Sequence, residues 1–282
     1  MARVTGSLWR RLPREMRLPV GLAALLIALV WVVLCVIGPM IVPHDPLAQD
    51  MPRLAPPGAT AWFGTDALGR DLFSRVIAGA RVTIALALLL VVCSMLIGSL
   101  IGLVAGFFGR WVDEVLMRIT DVVLAFPTVI LAMVTAAALG ASLFNAVLAA
   151  MVVSWPPYAR VVRSLVLSLR NADFVASGRL LGFSPWKSIR LDILPNVTGP
   201  TLVMASLDIG NAALLLSGLS FLGLGAKPPT PEWGSMISAA VNNFDQWWLG
   251  LFPGLAILTV VISFNFLGDA LRDAFDPQAG RP

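Results

Sequence analysis

Long apolar runs separated by short polar stretches set the rhythm of this chain. The first occupies 19–42, about 24 residues against the roughly 20 that cross a bilayer as a helix. Further runs at 81–108, 121–140, 143–166, 199–222 and 251–270 predict five more spans, and none alternates like a half-buried strand. The pattern predicts an all-α integral membrane protein with six transmembrane helices. Residues 1–18 form a basic tail, 19–42 the first transmembrane helix, 81–272 a five-helix core and 273–282 a second tail. The segment 43–80 is rich in proline and glycine, and Asp71–Ala80 within it reads as a short interfacial helix. Residues 109–120 read as a charged turn. The third run is interrupted at Phe126-Pro127, and Trp155-Pro156-Pro157 predicts a kink in the fourth.

The polar interval 171–198 looks built to fold. Asn171 can cap a helix opening on Ala172 and Asp173, whose carboxylate suits the positive end. Gly182 can end that helix in a left-handed turn. Ser184-Pro185 reads as a cap followed by proline at the first helical position, and Pro195 reads as the stop of the second helix. Two short helices around a glycine elbow make a rigid knob outside the bilayer, or an ordinary structured connector. In the second run Gly98, Gly102 and Gly106 fall every four positions, a register that lets another helix approach closely. Glycine is also simply common in membrane helices. Between 223 and 250, Trp233, Trp247 and Trp248 suit an aromatic belt at the membrane border.

Composition agrees with the pattern. The chain is 58% hydrophobic and 13% charged, where soluble domains carry about 25% charge. The net charge of +4 accompanies no soluble fold with a basic face, so nucleic acid is not an expected partner. Cys35 and Cys93 both sit in apolar runs, and His44 is the single histidine, so neither a disulfide framework nor a metal site is expected. No GxxxxGK[ST], GxSxG or HExxH occurs, and no cofactor or catalytic centre is expected. No small-residue cleavage site follows the first run, which reads as an uncleaved span. With the first residues inside, fifteen of the 20 Lys and Arg fall on inner segments and five on outer ones. The positive-inside rule then expects both termini and the knob in the cytoplasm, with 43–80 and 223–250 outside. Arg70, Arg75 and Arg81 run against the rule, and Asp66 and Asp71 are at hand to pair with them.

Several stretches carry a resemblance. AWFGTDALGRDLFSR, AGFFGRWVDEVLMRITDVVLAFP, DFVASGRLLGFSPWKSIRLDILPN, LSFLGLGAKPPTPEWGSM and WWLGLFPGLAILTVVISFNFLGDALRDAFDP occur in order between about 61 and 277. Together they resemble the permease subunits, C-type above all, of bacterial dipeptide, oligopeptide and nickel ABC importers. The resemblance implies a type I ABC importer permease fold in the bacterial inner membrane and a path for peptides, or for nickel or glutathione-type solutes. It also implies a sister permease, two separate ATPase subunits and a periplasmic or lipid-anchored solute-binding protein. The knob would be the coupling loop that docks on an ATPase. Asp173, Phe174, Ala176, Ser177, Gly178, Gly182, Phe183, Ile193, Leu194 and Pro195 carry that role by position. The family's glutamate-alanine-alanine triplet falls on Ala176, Ser177 and Gly178, so its glutamate is missing here; Leu216 replaces another frequent glutamate.

Asp208 lies inside the fifth run with Asn211 three residues on, on one helix face. A carboxylate at membrane depth costs about 2.5–3.5 kcal/mol on insertion scales and faces a bundle interior or water. The pair either lines a translocation path or is a structural acid holding the sister permease. A self-sufficient secondary transporter is the distant alternative for the whole chain, but no inverted repeat or pair of broken helices is evident.

Overall fold

A computed structural model describes residues 19–275, and regular structure among them is helical apart from an isolated β-bridge between Thr65 and Asp71. The tail at 1–18 and the residues after 275 lie outside the described set.

Helix α1, Pro19–Ile41, is apolar on every side. Its small residues Ala24 and Ala28 are buried, while Leu26, Val30, Val36 and Met40 are exposed, as a lipid-facing helix requires. Helix α2 runs from Leu72 to Phe108, 37 residues without interruption. The interfacial helix expected at 71–80 and the span expected from 81 are therefore one element. Asp71 caps it, accepting from the Ser74 backbone N–H at 2.9 Å and the Ser74 hydroxyl at 2.6 Å. Arg75, one of the charges that ran against the positive-inside rule, is tucked inward, 3.5 Å from Asp66 and donating to the Pro46 carbonyl at 3.1 Å. Asp66 also pairs with Arg70 at 2.6 Å, whereas Asp71 is occupied as the cap.

The charged stretch after α2 is helical too, not a turn. Helix α3, Arg110–Leu124, is amphipathic and meets α4, Thr128–Leu139, at a 90° bend where Pro127 intervenes. Its polar face pairs Asp113 with Arg163 (Nη2 to Oδ2, 2.6 Å) and Asp121 with Arg160 (2.6 Å). Both arginines belong to α5, Leu143–Leu169, which continues as helix across Pro156-Pro157. Helix α5 lies against α2 over its length. A Cβ on Gly98 would stand 2.6 Å from the Tyr158 Cβ, one on Gly102 3.0 Å from the Val162 Cβ, and one on Gly106 2.8 Å from the Val166 Cβ. The three glycines bring the two backbones together, a packing in which bare helix surfaces replace hydrophobic drive.

Helices α6, Asp173–Leu180, and α7, Pro185–Ser188, form the knob; a π turn, Ile189–Ile193, joins α7 to α8, Leu194–Phe221. Pro185–Phe221 is one helical run, so Pro195 does not end a helix. The π turn explains this. Leu194 N–H reaches back to the Ile189 carbonyl, and the shifted register seats Pro195 at the opening of α8, where it has no ladder bond to break. Helix α9, Trp233–Ala240, and α10, Trp248–Phe275, complete the chain. Taken alone, α2, the Pro185–Phe221 run and α10 are long and apolar enough to cross a membrane, and the bent α3–α4 pair adds a fourth if counted as one span.

The tryptophans do not form a belt. Trp233 is fully buried, its indole N–H donating to the Val76 carbonyl at 2.8 Å and its ring edge-on to Trp31 at 5.0 Å. Trp248 is buried and donates to the Thr65 carbonyl at 3.3 Å; only Trp247 of the three is exposed. Aromatic residue type alone cannot separate an interfacial ring from a core ring, and here Gly79 makes room for the Trp233 indole.

Candidate functional site

The knob is assembled by local rules. The Ala176 N–H bonds the Ala172 carbonyl at 3.0 Å, which opens α6 one residue later than a cap at Asn171 would. Gly182 adopts φ +79°, and the Phe183 N–H bonds the Gly178 carbonyl at 3.0 Å, the six-to-one bond of a Schellman turn. Ser184 accepts from the Lys187 N–H at 3.4 Å, and the Lys187 ammonium sits 3.8 Å from the centre of the Phe183 ring. Gly178 is where α6 crosses back. A Cβ there would press to 3.1 Å of the Phe183 ring and 3.3 Å of the Asp192 carboxylate.

One face of the knob is anchored. Val175 and Ile193 are fully buried, and Ile189 and Ile193 pack with Leu103, Val162, Val166 and Val197. Arg170 donates to the Gly106 carbonyl at 3.0 Å, and Trp186 meets Phe108 edge-on at 6.2 Å. The knob is thus tied to α2, α5 and α8 together. The other face is an exposed apolar crest: Leu180 is 90% exposed, Leu181 78% and Trp186 66%. Burying a leucine contributes about 1.5–3 kcal/mol, and these side chains forgo it.

The expected site residues separate accordingly. Asp173, Phe174, Ala176, Ser177, Gly182, Leu194 and Pro195 are exposed, while Gly178 and Ile193 are internal and Phe183 is intermediate. The sequence pattern did not single out Leu180, Leu181 and Trp186, although three large apolar residues in a polar interval were a usable signal.

A second feature lies within the bundle. A cavity of about 390 Å³ opens between α2, the α3–α4 bend, α5 and α8. Asp208 and Asn211 line it, and the Asn211 amide donates to Asp208 at 3.4 Å. Tyr158 and Ser94 line it too, each 1% exposed; the Tyr158 hydroxyl is within reach of Asp208, and the Ser94 hydroxyl has no protein partner. Neither residue stood out in the sequence, although Tyr158 is the chain's one tyrosine. The cavity is separate from the knob. Among the described residues no group of three or more His, Cys, Asp and Glu is placed to hold a metal ion.

Comparison with known proteins fits this geometry. Residues 98–281 match the family model for binding-protein-dependent transport system inner membrane components. The chain is 44% identical over 264 residues to the probable D,D-dipeptide transport system permease protein DdpC of Escherichia coli (strain K12), covering 93% of this chain and 89% of that one. It is 40% identical over 277 residues to the dipeptide transport system permease protein DppC of Alkalihalophilus pseudofirmus, covering 96% and 90%. It is 38% identical over 273 residues to the glutathione transport system permease protein GsiD of Pectobacterium atrosepticum, again covering 96% and 90%. An all-helical apolar bundle, an exposed knob and these relatives agree: the chain belongs to the family of inner membrane components of binding-protein-dependent transport systems.

Proposed function

We propose that the chain is one of two membrane halves of an ATP-driven importer of dipeptides or other short peptides. The crest of the knob carries this reading: a rigid element, anchored to three long helices, presents Leu180, Leu181 and Trp186 largely uncovered by the described residues. A separate ATPase subunit is the partner proposed to cover it. ATP binding would close two ATPases, carry each knob with its socket and tilt α5 and α8, which flank the knob, to switch access across the membrane. The packing of Ile189 and Ile193 against Val162, Val166 and Val197 supports transmission, because a close-packed joint passes displacement on instead of absorbing it.

In this reading α1, α2, the bent α3–α4 pair, α5, α8 and α10 make six crossings, with the knob and both termini in the cytoplasm. The basic residues at the knob end and the positive-inside rule support that orientation. The peptide names of two relatives support the substrate class, and the relative named for glutathione keeps glutathione-type solutes as the second reading.

The test replaces Leu181 and Trp186 by serine together. The chain should keep its folded stability and co-purify with the sister permease. Solute-stimulated ATP hydrolysis and import should both fall more than about tenfold, because the apolar anchors of the docking surface are removed. Import at the wild-type rate would remove the coupling role from the knob.

A further inference from the structure

The cavity of about 390 Å³ is apolar along Leu90, Val91 and Leu215 and polar where α5 and α8 face each other. Asp208 stands near the middle of α8, about 20 Å from either end at 1.5 Å per residue. Among the described residues the ion pairs engage Asp66, Asp113 and Asp121 and leave Asp208 out. Its neighbour Asn211 reaches it only at 3.4 Å, a long bond. The Tyr158 hydroxyl is within reach of the Asp208 carboxylate, though not in full hydrogen-bond geometry. The Ser94 hydroxyl opens on the same space, unpartnered. One more acceptor belongs to the wall: Pro157 has no N–H to give the Val153 carbonyl four residues back.

A buried hydroxyl without a partner is uncommon, and Ser94 on the same cavity wall as Asp208 and Tyr158 leaves a place for something else. The set is rich in acceptors and carries one negative charge. Its complement is a cation with several N–H donors, and a primary ammonium has three. A bare metal ion fits less well, since Asp208 is the one carboxylate lining the cavity and no histidine or cysteine joins it. The apolar wall accommodates a small side chain next to that ammonium.

We propose that this cavity is a transient binding site for the α-ammonium group of the imported peptide, with Asp208 supplying the charge and Tyr158, Ser94 and Asn211 orienting it. The inference rests on the importer reading above and deepens it. It makes the path selective for a free amino terminus, independently of the binding protein. A single carboxylate partly open to the cavity mouth suits a site that must release its occupant, because conduction needs binding weak enough to leave.

The experiment uses the complete transporter in proteoliposomes, with sister permease, both ATPases and binding protein, and a radiolabelled dipeptide mixture. The readout is peptide imported per ATP hydrolysed. Asp208→Asn should lower it about tenfold, as loss of a charged hydrogen bond does, and Tyr158→Phe about threefold, with the complex still assembled. Asp208→Glu should restore most of the loss. Photoleucyl-alanine should label α5 and α8 more heavily than alanyl-photoleucine, and Asp208→Asn should abolish the difference. Wild-type import by Asp208→Asn, equal labelling by the two probes, or loss of the sister permease from the Asp208→Asn complex would each overturn the site; the last would make Asp208 an assembly residue. Failure of the wild-type transporter to import any dipeptide would overturn the peptide reading itself.

Discussion

Helices α2 and α8 each connect two ends of the molecule that are finished in opposite ways. At the end built from 43–71 and 223–247 the chain satisfies itself. Trp233 is fully enclosed, Glu232 caps α9 by accepting from the Gly234 and Ser235 N–H groups at 2.9 Å each, and Phe63 stacks on Phe252 at 3.8 Å. The Thr65 hydroxyl donates to the Pro52 carbonyl at 2.6 Å and accepts from the Ala55 N–H at 2.8 Å. At the knob end the turns and caps are just as complete, yet the largest apolar side chains face outward. The difference separates two uses of order. The first end is closed by its own packing, while the second leaves Leu180, Leu181 and Trp186 exposed, the face the proposed ATPase partner would close.

The comparison breaks most visibly at Trp233. Trp233→Ala should cost about 3–5 kcal/mol, since it empties the joint between α1, α2, α9 and α10 and removes the indole hydrogen bond to the Val76 carbonyl. Thermal unfolding of the purified chain in detergent should show it, alongside the Leu181 and Trp186 serine variant, which should unfold like the wild type. Equal losses in the two proteins would mean that the crest is part of the core after all.

Glu232 sharpens the same contrast through pH. Burial pushes its carboxyl above the ordinary 4.5, and hydrogen bonds from the Gly234 and Ser235 N–H groups offset this only in part. Folding thus favours the protonated form. The contribution is full below 4.5 and is lost as pH rises through the raised value. The difference in unfolding temperature between wild type and Glu232→Gln should therefore fall as pH rises from 4.5 toward neutrality. A difference that grew with pH would mean that the capped, ionised carboxylate is the favoured form.

How much of this was legible in the sequence follows from which solvent each stretch meets. Lipid demands long apolar helices, so the 19–42 run and α1 agree almost to the residue. The glycine elbow at 182 and the Ser184-Pro185 cap were readable because turn chemistry is local. Continuity was not. The expected border at 80/81 is absent because Leu72–Phe108 is one helix, and Pro195 looked like a stop because a π turn leaves no mark in composition. The cavity was half legible. Asp208 stands out in any apolar run, but Ser94 and Tyr158 reach it from α2 and α5, a juxtaposition only packing creates.

The smallest expected effect concerns Ala176, the position onto which the resemblance carries the family pattern's glutamate. Its side chain is exposed on α6, so Ala176→Glu meets no steric barrier. A carboxylate near the start of α6 is favoured by the helix dipole but lies three residues from Asp173, and these effects are each about 0.2–1 kcal/mol and of opposite sign. Stability should stay unchanged. What can change is the encounter with the ATPase, because an exposed ion pair contributes about 0.2–1 kcal/mol, or up to about fivefold in affinity. That gain should appear at low ionic strength and vanish in high salt. ATPase binding to detergent-solubilised permease, titrated against salt, reads it directly. A salt-sensitive gain would show that the socket keeps a cation for the absent glutamate. An unchanged affinity would show that the apolar crest alone holds the knob, which is the sharpest form of the contrast between an end that closes itself and an end that waits for a partner.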